Sequence, residues 1–153
     1  MTPTLAGRLQ TRLLLYIFIG LPMTALFTWV VFPFIWGGEL VPEIPFYFLT
    51  AILVLGLILD FVYIQIQRFR WDNDWPFAFQ FFFSILEFAA VWGLVQAGLL
   101  DPLILPEDIP NVWIAATHFA LVFIPSFIAL LGLVQIFCVR WRFKGGELGR
   151  HGT

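Results

Sequence analysis

The chain has 153 residues, 61% of them hydrophobic and 12% charged, with a formal net charge of −2. Soluble domains carry charge on about a quarter of their residues, so this composition excludes an ordinary water-soluble fold, and so small and interspersed a charge excludes nucleic acid as a partner. The length fits one domain over residues 1–153, and a lone cysteine, Cys138, excludes an internal disulfide, a CxxC pair and a thiolate zinc cluster.

A helix needs about 20 mostly apolar residues to cross the hydrocarbon layer, and four stretches meet that requirement in turn. Arg8 and Arg12 precede the first, 13–36, which no small-residue cleavage site interrupts, so it reads as a retained span and not a secretory leader. Gly37, Gly38, Pro42 and Pro45 punctuate the way to the second span, 46–66. A polar link, 68–76, leads to the third, 77–97. A second link, 98–111 with Pro102, Pro106 and Pro110, leads to the fourth, 112–139, which is longer than a crossing requires and is expected to tilt or to emerge into the headgroups. Residues 140–153 follow as a basic tail.

The direction of threading follows from positive charge. All eight Lys and Arg residues fall on one side: Arg8 and Arg12, then Arg68 and Arg70, then Arg140, Arg142, Lys144 and Arg150. The opposite loops hold Glu39, Glu43, Asp101, Glu107 and Asp108 instead. Both termini are therefore expected in the cytoplasm, in a cytoplasmic or inner membrane, and the one-sided bias argues against a dual-topology transporter. Trp36, Tyr47 and Trp113 mark the outer headgroup level, and Tyr16, Trp71, Trp75 and Trp141 the inner one. The phenylalanines, as in Phe79 and Phe81 to Phe83, read as lipid-facing bulk.

Helices in lipid associate through small residues and polar side chains, and each span carries such a stripe. Span one offers Gly20, Thr24 and Thr28. Span two offers Gly56, Asp60, Tyr63 and Gln67, whose spacing puts them on one face. Span three has two faces, one with Gln80, Ser84 and Glu87 and one with Ala89, Gly93 and Ala97. Span four offers His118, Pro125, Gly132 and Gln135. The expected fold is all-α, an up-down four-helix integral membrane bundle, kinked where Pro22, Pro33 and Pro125 remove backbone donors.

Asp60 and Glu87 are the foremost site candidates, about 10 Å and about 16 Å in from the cytoplasmic edge at 1.5 Å per residue. An ionised carboxylate at such depth costs at least ~2.5 kcal/mol on insertion scales, so each acid is expected to be protonated or to meet a cation. One reading is a proton or ion site, with Gln65, Gln80, Ser84 and Gln135 as its polar surroundings. The other is structural: a hydrogen bond to a neighbouring helix, an Asp60 pair with Arg68 or Arg140, or a contact with another subunit. His118 lies near the outer surface, where Gln96 is the expected hydrogen-bond partner. The second histidine, His151, is in the tail on the opposite side, which excludes an intrachain bis-histidine haem.

No HExxH, GxSxG or paired metal-ligand pattern is present, and neither an enzyme nor a cofactor is expected. The Asp72, Asn73, Asp74 run reads as an interfacial turn that caps span three, not as a metal-binding DxD. In the tail, Arg140, Arg142 and Lys144 are candidates for contact with lipid headgroups or a cytoplasmic partner, each cation being worth about 1 kcal/mol near an anionic leaflet. Minimal loops, the two faces of span three, including the candidate contact face Ala89, Gly93 and Ala97, and the lack of a complete catalytic set point to a non-enzymatic membrane subunit, an anchor or assembly factor that meets other subunits or a second copy of itself. A small proton- or ion-coupled transporter using Asp60 and Glu87 is the alternative.

Overall fold

The computed structural model describes residues 4–37, 40–69, 77–105 and 108–137, apart from the side chains of Gln135 and Phe137. Within them lie four long helices and no strand: α1 (Leu5–Trp36), α2 (Glu43–Phe69), α3 (Phe77–Gln96) and α4 (Val112–Leu131), with a short α5 (Leu133–Phe137). Each of the four is long and apolar enough to cross a membrane.

Neighbouring helices run antiparallel. Gly20 of α1 lies against Leu49 of α2, while Arg12, two turns earlier, meets Asp60, three turns later. Phe88 of α3 meets Phe119 of α4, while Phe81 meets Phe127. The apolar core sits at the end where the α1–α2 and α3–α4 links lie. There Ile44, Phe48, Val91, Val95 and Ala115 pack on Ile104 from the second link. Toward the other end the interior turns polar.

Helix α1 departs from the expected 13–36 by starting eight residues earlier, at Leu5. Thr4 caps it, its Oγ accepting from the Gly7 N–H at 3.1 Å. The charges of Arg8 and Arg12 hid this start, since a hydropathy reading places them outside the span; in the structure the first turns bury Gly7, Arg8 and Thr11.

Two π turns interrupt α1, Tyr16–Gly20 and Phe27–Val31, and each ends two residues before a proline, Pro22 or Pro33. The Leu21 N–H reaches back to Tyr16 O, and the Phe32 N–H to Phe27 O. Proline collides with the carbonyl four residues before it, and the wider turn relieves that clash without a break in the helix. It also has a rotational effect. In a regular α-helix a stripe at every fourth residue drifts by about 40° per step. A turn that consumes an extra residue retards the drift, so Arg8, Arg12, Gly20, Thr24 and Thr28 all stay on the inward side.

Glycines end two of the helices. Gly37 takes φ 62° after α1 and returns its N–H to Pro33 O; Gly98 takes φ 72° after α3, with Leu99 N–H bonded to Leu94 O. Left-handed backbone of this kind suits a residue without Cβ. Asn111 opens α4 by accepting from Trp113 N–H at 3.0 Å. The expected continuous fourth span of 112–139 is corrected by a break at Gly132, whose φ of −105° and ψ of −83° are not helical. Helix α2 is longer than expected at both ends, and it starts earlier because Pro45 is tolerated in its first turn.

Candidate functional site

Asp60 and Glu87 meet at one guanidinium. Arg12 donates from Nε to Asp60 Oδ2 at 3.0 Å and from Nη2 to Asp60 Oδ1 at 3.1 Å. Its other edge donates from Nη1 to Glu87 Oε2 at 2.8 Å and from Nη2 to Glu87 Oε1 at 3.0 Å. Two forks thus join α1 to α2 and α3 through a single side chain, the geometry that suits arginine and that an ammonium cannot reproduce. Tyr63 donates to Glu87 Oε1 at 3.2 Å. Arg8 donates to Gln67 Oε1 at 3.0 Å and stands 3.9 Å from Asp60. Both acids are 2% exposed, whereas the Arg12 side chain keeps 18% of its surface open.

Gly56 makes this reach possible. A methyl group there would stand 2.6 Å from Arg12 Cζ, so the bare backbone of α2 is the slot through which the side chain passes. The small and polar stripe of α2 thereby divides its work: Gly56 gives room, Asp60 takes one fork, and Tyr63 and Gln67 bind the neighbouring partners.

The node forms one end of a half-open cavity of about 140 Å³ between the four long helices. Gln80 and Ser84 border it from α3; Phe119, Phe123 and Ser126 border it from α4. Ser84 turns its hydroxyl onto its own helix, donating to Gln80 O at 2.8 Å. His118 lies at the far end, with Nε2 and Thr24 Oγ sharing a hydrogen bond of 2.9 Å and Phe27 4.9 Å away, ring to ring. Comparison with protein-family models, curated proteins and solved structures finds no match to this chain. The site is therefore read from its geometry alone.

Several expected contacts are corrected. Asp60 pairs with Arg12 and Arg8, not with Arg68, which is exposed; Arg140 lies outside the described residues. Arg12 itself belongs to the interior and not to the flank. The partner of His118 is Thr24, and Gln96 faces outward, as does Gln65. Ala89, Gly93 and Ala97 are all exposed, and the space where a Gly93 side chain would stand is open. The Gln135 side chain, Arg142, Lys144, Asp72, Asn73 and Asp74 lie outside the described residues. Among the described residues no three His, Cys, Asp or Glu side chains converge in a way that would hold a metal ion.

Sequence reasoning missed Arg8 and Arg12 as site residues. A signal was there: both fall on the same every-fourth-residue series as Gly20, Thr24 and Thr28, the stripe that was read as inward-facing from Gly20 onward.

Proposed function

We propose that this chain is a multi-pass protein of a cytoplasmic or inner membrane, with both termini in the cytoplasm, and that it serves as a non-enzymatic subunit, anchor or assembly factor in a larger complex. Insertion is supported by the inverted distribution of side chains. Val54, Ile58, Phe61, Leu86 and Ile128 face outward, while Thr24, Asp60, Glu87 and His118 are buried. That is an arrangement suited to a lipid solvent, in which helices satisfy their own backbone.

The observation that carries the subunit reading is the double fork at Arg12. Asp60 and Glu87 are both already committed to an internal cation, which makes them a tie between three helices and leaves neither of them unpaired to carry a cargo ion. The α3 face with Ala89, Gly93 and Ala97 stands clear of the bundle, and small residues allow another helix to approach closely. Purification in mild detergent tests this: a stoichiometric partner or a homo-oligomer is expected, and a clean monomer across detergents overturns it.

The cavity touching the node favours a second reading, a small proton- or ion-coupled transporter in which Arg12 exchanges partners. Reconstitution in liposomes separates the two. Flux that disappears in Glu87→Gln supports transport, and no flux under any imposed gradient removes it.

A further inference from the structure

The central cavity has no part in the subunit reading, and its walls and floor differ in kind. Its volume of about 140 Å³ is close to that of an engineered protein cavity of roughly 150 Å³ that accepts benzene. One wall is a ladder of rings on α4: Phe119 and Phe123 stack at 5.3 Å with 7° between their planes, and Phe123 and Phe127 at 5.5 Å with 29°. A wall of aromatic rings favours an aromatic ligand, offset-stacked or edge-on.

The floor is polar without net formal charge. Arg8 and Arg12 offset Asp60 and Glu87, and the four are linked by contacts within 4 Å. A charged ligand entering here would lose its water and meet no spare counter-charge. Hydrogen-bonding capacity without charge does remain. The Gln80 amide and the Ser126 hydroxyl border the cavity, and among the described residues neither side chain bonds within the protein.

We infer that the central cavity is a binding site for an uncharged, ring-sized amphiphile, its flat apolar part against the Phe119, Phe123 and Phe127 wall and a hydroxyl, carbonyl or amide directed at Gln80 and Ser126. The inference is independent of whether the chain acts as a subunit or as a transporter.

Saturation-transfer NMR on the full chain in detergent, with three probes that share one ring, tests it. Benzyl alcohol is expected to bind saturably, and benzylamine and benzoate at least tenfold more weakly. Ser126→Phe and Val122→Trp each put bulk into the cavity, and each should abolish saturable binding of benzyl alcohol while leaving helical content and elution volume unchanged. Either variant suffices if the other misfolds, and the comparison of probes on the unaltered chain stands without both. Equal binding of the three probes, tighter binding of a charged one, no saturable binding of benzyl alcohol, or undiminished binding in a folded, filled variant would each overturn the inference.

Discussion

Arg12 concentrates the energetics of the interior in one side chain. Removing one partner from a buried charge network costs about 3–5 kcal/mol, because the charges left behind stay buried, whereas replacing the whole network by neutral groups is often close to neutral. Arg12→Leu should therefore lower the thermal midpoint in detergent sharply, and the double variant Arg12→Leu, Glu87→Gln, which leaves Asp60 with Arg8 as its counter-charge, should recover most of the loss. An Arg12→Leu protein as stable as the parent would show that the double fork ties nothing. Arg12→Lys should fall between, since a single ammonium cannot bridge both carboxylates in two forks. That both acids lie within long apolar helices was legible in the sequence from hydropathy alone. Their partner was not, because it lies 48 and 75 positions away from them at the edge of an apolar run, where a charge reads as a flank. The same limit hid Thr24 from His118, 94 positions apart: local periodicity says which face turns inward but not what will stand opposite.

At the scale of the element, α1 is the unusual member. Its prolines announced a kink, and the structure answers with two π turns that keep one face inward along most of the helix. A π turn holds one residue more than the α turn it replaces, so deletion of Phe18, which is exposed within the first of them, should leave the flanking segments in place. Deletion of Ile58, equally outward-facing but in regular helix, should turn the rest of α2 by about 100° and carry Asp60 away from Arg12. Thermal melts of the two deletions check this: comparable damage from both would mean that the π turns do not absorb a residue. The stripes of α2 and of the middle of α1 were readable because small and polar residues recur at helical spacing in an apolar background. The ends were not: Thr4 and Gly132 set them through backbone geometry that composition does not register.

For the whole molecule, the antiparallel arrangement of four long helices follows from hydropathy and short links, and those were plain from the sequence. Its orientation in a bilayer rests on charge. Arg8 and Arg12 are drawn into the bundle, so the proposed orientation rests on the remaining positive residues, from Arg68 onward. In a Cys138→Ser background, Val41→Cys should react with a membrane-impermeant maleimide on intact cells, and Phe69→Cys only after lysis; the reverse pattern would invert the topology.

The position of the double fork also bears on how the chain is made. Helix α1 leaves the ribosome with a guanidinium destined for the bundle interior, and its first counter-ion is not synthesised until two-thirds of α2 has followed. The second comes later still, midway through α3. In a bilayer, as proposed for this chain, the nascent protein would carry an uncompensated cation past the translocon, and α1 would gain its settled place in lipid only when the two later helices arrive beside it.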